Sequence, residues 1–352
     1  MRTLPRSPLG DDEDEGSELT SKVRVGINGF GRIGRMVFRA AMTREDVEIV
    51  AVNDLLPIDH LAYLLKYDSV HGRFNGQVAA DKSSLCVDGR EVVAFKEKDP
   101  GAIGWSDAGI DLVIESTGRF LTSAQAQRHL QAGAAKVLFS APPEDDTPVF
   151  IMGVNASDYA GQAIVSNASC TTNCVAPLAK LVNDLFGLEE ALMLTVHGVT
   201  AAQNTVDGAA PDDWRYGRSV FNNVIPVKTS AARMVGRVIP ALRGRMDGIA
   251  VRVPTANVAM IDLTCRLRSK TSYADICAAV REAAAHSYRG IIEYCDEPVV
   301  SIDMCGNPHS AIFDALAGMQ SSAGLTKLVA WYDNEWGYAH RLLDFAAQIV
   351  LH

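Results

Sequence analysis

The sequence predicts an α/β protein. In its first half, short β-rich runs alternate with helical patterns, which is the order that a parallel sheet with crossover helices requires. The chain has 352 residues, enough for about two domains of ordinary size. A hydrophobic content of 48% is sufficient for a sizeable core.

A glycine motif connects the first predicted strand to the first predicted helix. Gly29, Gly31 and Gly34 have the spacing G-x-G-x-x-G, and a second apolar run leads to Asp54, 20 residues after Gly34. This order is typical of a Rossmann dinucleotide-binding domain, in which the glycines let a pyrophosphate approach a helix N-terminus. Asp54 would accept hydrogen bonds from ribose hydroxyls and repel a 2′-phosphate, so NAD is favoured over NADP. The alternative is a glycine-rich turn without a ligand.

Two later strands of this half also lead to polar residues. Thr117 follows the apolar run 111–116, and Ser140 closes the run 136–140. Ligands of doubly wound sheets gather at the carboxyl ends of the strands, so both residues are candidate cofactor contacts. Ordinary turn residues are the alternative.

A cysteine lies at the predicted start of a helix, in the segment 166–174 with sequence SNASCTTNC. We expect Cys170 to lie near the helix N-terminus, where backbone N–H groups and the helix dipole favour a thiolate. A thiolate nucleophile indicates covalent chemistry on a carbonyl. Cys174 follows about one helical turn later, but no His/Cys cluster follows at zinc spacing, so no metal is expected.

A histidine and an arginine end later predicted strands. His197 follows the apolar run 191–196, and an isolated histidine in such a place is more often structural. Together with an activated cysteine it becomes a candidate base. Arg252 follows the run 248–251 and could bind a phosphate through two N–H groups, with a surface ion pair as the alternative.

Composition excludes several classes of protein. A net charge of −9 argues against a nucleic-acid binder, and no apolar run reaches the ~20 residues of a membrane span. The acidic run 11–15 argues against a signal peptide, and residues 1–21 are predicted to form a disordered acidic tail, with a docking segment as the alternative. Seven cysteines without framework spacing predict a reducing compartment, hence a cytoplasmic protein.

Taken together, the motifs closely resemble the glyceraldehyde-3-phosphate dehydrogenase family. The resemblance runs from Val23 to the C-terminus. The segments that carry it are VGINGFGRIGR at 25–35, KYDSVHGRF at 66–74, the cysteine motif, RVPT at 252–255 and WYDNEWGY at 331–338.

The resemblance implies a homotetramer. Each subunit would have an NAD-binding Rossmann domain, residues 22–169, and an α+β catalytic domain with a mostly antiparallel sheet, residues 170–333. A C-terminal helix, residues 334–352, would return to the first domain.

The resemblance also implies the reaction, a phosphorylating oxidation of glyceraldehyde 3-phosphate to 1,3-bisphosphoglycerate with NAD. Cys170 would attack the aldehyde carbon, and His197 would lower the thiol pKa and accept the hydroxyl proton. Inorganic phosphate would cleave the resulting thioester. The implied cofactor contacts are Gly29, Gly31, Arg32, Ile33, Gly34, Asp54, Lys98, Ser140 and Asn334. The implied substrate and phosphate contacts are Ser169, Thr171, Thr200, Thr229, Ser230 and Arg252.

Several positions depart from the family pattern. Ala202 stands in place of a threonine, Asn204 in place of a lysine and Ser230 in place of a glycine. Loss of one hydroxyl donor would remove ~1–2 kcal/mol of anion binding. Ala209 replaces a proline usual in NAD-preferring members, which predicts some tolerance of NADP.

These departures leave two alternatives to the triose phosphate reaction. One is the sister enzyme erythrose-4-phosphate dehydrogenase, which several tracts here also resemble. The other is a paralogue of low activity retained for binding, against which the intact pair of Cys170 and His197 argues.

Overall fold

The computed structural model describes residues 22–211 and 213–351, arranged around two β-sheets. The acidic segment 1–21, for which we predict disorder, lies outside the described residues. No helix in the described part of the chain is both long and apolar enough to span a membrane.

The first sheet is the Rossmann-type sheet that the glycine motif predicts. Its strands are β1 (Val23–Asn28), β2 (Val47–Asn53), β3 (Val78–Ala80), β4 (Ser84–Val87), β5 (Arg90–Phe95), β6 (Leu112–Glu115), β7 (Lys136–Phe139) and β8 (Ile164–Ser166). They lie in the order β3-β4-β5-β2-β1-β6-β7-β8. Pairing is parallel from β5 to β8 and antiparallel at the β3–β4–β5 edge. The chain order reverses around β1, and ligands bind at such a switch point in doubly wound sheets.

The second sheet is mostly antiparallel, as the resemblance implies. Its strands are β9 (Leu188–His197), β10 (Ile225–Lys228), β11 (Met246–Arg252), β12 (Ala259–Leu267), β13 (Ile292–Cys295), β14 (Ala311–Asp314), β15 (Met319–Gln320) and β16 (Thr326–Tyr332). Their order is β10-β11-β9-β12-β16-β14-β13, with β15 paired to β16. The parallel pairs in this sheet are β11–β9 and β13–β14. The predicted fold class is therefore confirmed for both halves.

Helices cover the sheets. In the described residues they are α1 (Arg32–Ala41), α2 (Ile58–Lys66), α3 (Trp105–Ala108), α4 (Ser123–Gln131), α5 (Cys170–Phe186), α6 (Ala231–Val238), α7 (Tyr273–Ala285) and α8 (Trp336–Leu351). Thr122 caps α4 in a capping box with Gln125, which satisfies backbone donors at both ends of the first turn. Ser169 caps α5 by accepting a hydrogen bond from the Thr172 N–H.

Two large apolar cores hold the molecule together. One joins α5, α6 and α7 to a single face of the second sheet, through residues such as Leu178, Val235 and Ile261. The other contains first-sheet residues and the apolar side of α8, which also packs on α1. The segment between β8 and β9 is α5, so the chain passes from one sheet to the other at the predicted nucleophile.

Candidate active site

Cys170 is the first residue of α5, where we expected it. Ala168, two residues before Cys170, has φ +54°, a left-handed conformation that is strained for a residue with a Cβ. The Tyr338 hydroxyl, from α8, donates a hydrogen bond of 2.6 Å to the Ala168 carbonyl. Sequence reasoning missed this tyrosine, although it lies in the last motif of the resemblance. The turn before the cysteine is therefore held from the C-terminal helix.

His197 lies beside the cysteine at the end of β9. Its Nε2 is 3.7 Å from the Cys170 Sγ, and its Nδ1 is 2.8 Å from the Gly198 carbonyl oxygen. A carbonyl oxygen can only accept a hydrogen bond, so Nδ1 carries the proton. The lone pair on Nε2 therefore faces the thiol, as a base for that thiol requires.

Burial is the largest influence on the pKa of each member of this pair. Burial and the charge of Arg252 together lower the pKa of His197 to about 4, against the opposing effects of the hydrogen bond to Gly198 and the charge of Glu335. Burial also raises the pKa of the Cys170 thiol, against the opposing effects of Arg252 and of hydrogen bonds from Thr171 and the backbone. Both shifts favour the uncharged forms, the thiol and the imidazole. Desolvation of the sulfur thus opposes the helix N-terminus, which favours the thiolate that we predict.

Arg252 lies directly beside His197. The parallel register of β9 and β11 makes these two residues partners, and Arg252 donates a hydrogen bond of 3.2 Å to the Gly198 carbonyl. Its Nε is buried and has no hydrogen-bond partner in the described part of the chain. A buried unpaired donor is costly, so this N–H is suited to an anionic ligand.

Two predicted phosphate contacts at the cysteine have internal partners. The Ser169 hydroxyl caps α5, and the Thr171 hydroxyl shares a hydrogen bond of 2.8 Å with the Tyr332 hydroxyl. Tyr332 also shares a hydrogen bond of 2.9 Å with Thr195 on β9. The structure thus ties α5 to the second sheet through Thr171.

The loop after His197 holds a polar pair that sequence reasoning missed. The backbone N–H and the hydroxyl of Thr200 both donate to Gln203 Oε1, at 2.8 and 2.7 Å. The Gln203 amide nitrogen is buried without a hydrogen-bond partner among residues 22–211 and 213–351. The departure at Ala202 is exposed beside this pair. A free amide donor therefore lies in the same loop as the missing threonine hydroxyl.

Thr229 and Ser230 lie at the start of α6. The Thr229 hydroxyl accepts a hydrogen bond of 3.2 Å from the N–H of Ala231, the first residue of this helix. Ser230 is exposed and its side chain makes no capping hydrogen bond. Both hydroxyl protons are available to a ligand.

The glycine motif forms a cradle at the N-terminus of α1. Gly29 has φ +93°, and a Cβ on Gly34 would lie 2.2 Å from the Gly29 carbonyl oxygen. A Cβ at Gly31 would instead have no neighbour within 4 Å, so the turn is open on that side. No side chain caps α1 and its first turn contains no acidic residue. Its backbone N–H groups are thus suited to a pyrophosphate.

Asp54 and Asn334 complete the fit to a dinucleotide. The Asp54 carboxylate lies against the glycine turn, accepting a hydrogen bond of 2.8 Å from the Phe30 N–H. Asn334 is 6% exposed, and its side-chain oxygen has no hydrogen-bond partner in the part of the chain that the structure describes. A buried acceptor of this kind suits the amide N–H₂ of a nicotinamide.

Arg32 and Ile33 are the first two residues of α1. The Arg32 guanidinium forms ion pairs with Asp68 and Glu335, and the latter also contacts His71 Nε2 at 3.1 Å. Although burial acts in the opposite direction, hydrogen bonds from Arg32 hold the pKa of Asp68 below its ordinary value. This network, which sequence reasoning missed, ties the loop after α2 to the segment before α8. It leaves the backbone N–H groups of Arg32 and Ile33 at the open N-terminus.

The remaining predicted cofactor contacts lie at the same sheet edge. Ser140 directly follows β7, and its N–H donates to the Glu115 carbonyl at 3.0 Å. Lys98 is exposed in the loop after β5. The Glu115 side chain is fully buried and accepts hydrogen bonds of 2.6 Å from Asn28 and 2.8 Å from the Thr117 N–H. This buried carboxylate fixes the ends of β1 and β6, and no sequence pattern pointed to it.

Comparison with known proteins matches both halves. Residues 23–123 match the family model described as "Glyceraldehyde 3-phosphate dehydrogenase, NAD binding domain". Residues 169–334 match the model described as "Glyceraldehyde 3-phosphate dehydrogenase, C-terminal domain". The chain belongs to the glyceraldehyde-3-phosphate dehydrogenase family. The resemblance and NAD as the cofactor are thereby confirmed.

Curated members of the family are similar over nearly their whole length. The cytosolic glyceraldehyde-3-phosphate dehydrogenase of Leishmania mexicana is 52% identical over 94% of this chain and 98% of its own. Glyceraldehyde-3-phosphate dehydrogenase A of Escherichia coli K12 is 52% identical over 93% and 99%. The Bacteroides fragilis enzyme is 50% identical over 93% and 99%. These relatives carry the triose name, so the tetrose alternative is not favoured.

Proposed function

We propose that this chain catalyses the phosphorylating oxidation of glyceraldehyde 3-phosphate to 1,3-bisphosphoglycerate with NAD. The observation that carries the proposal is the 3.7 Å approach of the Cys170 thiol to the unprotonated Nε2 of His197. The guanidinium of Arg252 lies beside this pair with its Nε–H unpaired among the described residues. It supplies the positive charge that a phosphorylated substrate needs.

The first step is attack of the Cys170 sulfur on the aldehyde carbon. His197 Nε2 accepts the thiol proton as the C–S bond forms, and the carbonyl π electrons move to the oxygen. Return of that proton to the oxygen gives a thiohemiacetal on Cys170. Backbone N–H groups at the start of α5 stabilise the developing oxyanion. Starting from a neutral pair, this step needs no prior ionisation of the thiol.

NAD, when bound, supplies the hydride acceptor for the oxidation. The residues that would hold it are the open N-terminus of α1, Asp54 at the ribose and Asn334 at the nicotinamide amide. His197 removes the hydroxyl proton while the carbon loses a hydride, which leaves a thioester on Cys170. Lys98 and Ser140 are proposed as further contacts at the same edge of the sheet.

The last step is cleavage of the thioester by inorganic phosphate. A phosphate oxygen attacks the acyl carbon, the C–S bond breaks, and the leaving sulfur takes the proton held by His197. The product is an acyl phosphate, and Cys170 and His197 are regenerated as a neutral pair. For the phosphate groups we propose the guanidinium of Arg252 together with hydroxyls on α5, α6 and the loop after His197. These hydroxyls are Ser169, Thr171, Thr200, Thr229 and Ser230.

The test is an assay of reduced-cofactor absorbance with NAD, phosphate and each aldehyde in turn. Cys170→Ser is expected to abolish oxidation while NAD affinity stays unchanged, because the cysteine reacts with the aldehyde. The exposed Cys86→Ser is the matched control and should keep full activity. Substantial turnover by Cys170→Ser, or no signal with either aldehyde, would refute the proposal. A larger rate with erythrose 4-phosphate would change the substrate.

We also propose the domain division at 22–169 and 170–333, a homotetramer, and a cytoplasmic location. The packing of α8 on α1 supports a C-terminal segment, 334–352, that belongs with the first domain. All seven cysteines are free, as in a reducing compartment. Exposed apolar residues on the uncovered face of the second sheet support assembly.

A further inference from the structure

Three side chains of the kinds that bind metals lie together outside the catalytic pair. His71 follows α2, Cys305 precedes β14, and Asp333 follows β16. One ligand atom from each of these residues lies within 4.8 Å of the other two. We propose that His71, Cys305 and Asp333 form a binding site for a borderline transition-metal cation such as Zn²⁺, independent of the proposed function.

His71 is held by a carboxylate through one of its ring nitrogens. Its Nε2 is 3.1 Å from a carboxylate oxygen of Glu335, which can only accept a hydrogen bond from it. In the neutral imidazole this leaves the lone pair on Nδ1, which has no hydrogen-bond partner among the residues that the structure describes. Metal-binding histidines commonly donate their other ring N–H to a carboxylate in this way.

Asp333 and Cys305 are fixed by one shared contact. Asp333 is 1% exposed, and its Oδ2 accepts a hydrogen bond of 2.8 Å from the N–H of Gly306, the residue after the cysteine. Its Oδ1 accepts hydrogen bonds of 2.9 and 2.8 Å from the Glu335 and Trp336 N–H groups. These hydrogen bonds orient the carboxylate, and the bond from the Gly306 N–H keeps the cysteine beside it.

The sulfur has an outer partner as well. The Asn257 amide donates to the Cys305 Sγ at 3.7 Å, a contact that favours a thiolate. Burial, together with the negative charges of Asp333, Glu335 and Asp68, raises the pKa of the free Cys305 thiol. A divalent cation would reverse this effect, since it offsets the carboxylates and binds the deprotonated sulfur.

The ligand atoms of the three side chains determine which cation would suit the site. An open cleft of about 520 Å³ is lined in part by His71, Gly306 and Trp336, so one of the three ligands faces solvent-accessible space. Neighbouring ligands of tetrahedral zinc are about 3.3–3.8 Å apart, so the side chains need to close by about 1 Å. A sulfur, an imidazole and one carboxylate suit Zn²⁺ or Co²⁺, whereas Mg²⁺ and Ca²⁺ need more oxygen ligands.

The bound cation would join three segments that are distant in sequence. Because the unfolded chain does not hold these ligands together, binding should stabilise the native state. This effect separates a built site from loose adsorption to surface carboxylates, which would leave the melting temperature unchanged.

The experiment uses full-length protein with Cys170→Ala, which removes the other thiol–imidazole pair that would bind zinc. Equilibrium dialysis against Zn²⁺ should find a single tightly bound ion per chain, and Tm should rise with added zinc. Co²⁺ should give a thiolate charge-transfer absorption band. Adding Cys305→Ser should weaken zinc binding about tenfold or more and abolish the band and the Tm shift. Adding the control Cys86→Ser should change none of these.

His71→Gln is the second test, since it removes a different ligand, and it should also weaken zinc binding about tenfold or more. Circular dichroism, measured for every variant, reports whether the fold is intact. The proposal is wrong if the Cys170→Ala protein binds no zinc, or if cobalt gives no thiolate band. It is also wrong if Cys305→Ser and His71→Gln both bind zinc as tightly as their parent.

Discussion

Arg252 and His197 lie side by side because β9 and β11 pair in parallel with these two residues in register. The guanidinium charge lowers the pKa of both members of the catalytic pair, although burial dominates each shift. By lowering both pKa values, the guanidinium favours ionisation of the sulfur and disfavours protonation of the imidazole. His197 therefore stays able to accept a proton.

Arg252→Gln should therefore move both titrations upward. The pKa of His197 should rise from about 4, which moves the acid limb of the pH–rate profile to higher pH. The pKa of the Cys170 thiol should also rise, so less thiolate is present at a given pH and alkylation by iodoacetamide should slow, by roughly tenfold. NMR titration and alkylation kinetics measure the two effects. Arg233→Gln, at an exposed arginine on α6, is the control; equal behaviour of the two variants would contradict this role.

Asp54 gives a prediction about the cofactor. Asp54→Asn keeps an oxygen to accept the Phe30 N–H but removes the charge that repels a 2′-phosphate. We expect the preference for NAD over NADP to fall about tenfold or more, with kcat for NAD little changed. The KM values for both cofactors measure this, with the exposed Asp59→Asn as control. An unchanged preference would mean that another group, such as the loop at Ala209, selects the cofactor.

At the scale of elements, α8 acts on the active site through one hydrogen bond. Tyr338 and Ala168 are both buried, and the left-handed Ala168 precedes the first turn of α5. Tyr338→Phe leaves the Ala168 carbonyl without its donor, which should cost about 1–3 kcal/mol. We expect a lower free energy of unfolding in urea and a lower kcat, with KM for NAD unchanged. Tyr288→Phe, at a buried tyrosine outside the site, should lower neither kcat nor KM; an equal loss of kcat would show a general packing effect.

The elements and the site differ in how much the sequence could predict. The strand, glycine turn and helix at Gly29 to Gly34 were predictable because each depends on local spacing. The position of Cys170 at the start of α5 was predictable for the same reason. The ion pair of Arg32 with Glu335 and the hydrogen bond of Tyr338 join residues 303 and 170 positions apart, so no local pattern contains them. The upward shift of the Cys170 pKa comes mainly from burial, which only the packed structure shows.

At the scale of the whole molecule, the second sheet has one covered and one uncovered face. Helices α5, α6 and α7 pack on the covered face. On the other face, Leu192 of β9 is 69% exposed and Ile249 of β11 is 51% exposed. Alternation along each strand brings such residues to one side of the sheet. An exposed apolar sheet face of this kind is typical of a subunit interface, which is the basis for the proposed homotetramer.

Ile249→Asp should therefore break the assembly. It places a charge on this face, opposite Leu194 in the β9–β11 register, and a buried unpaired charge disfavours association strongly. Sedimentation velocity should find tetramers for the natural sequence and smaller species for Ile249→Asp. Leu185→Asp, at an exposed leucine near the end of α5 on the other side of the sheet, should leave the tetramer intact. A monomeric natural chain, or a tetrameric Ile249→Asp variant, would show that this face is not the interface.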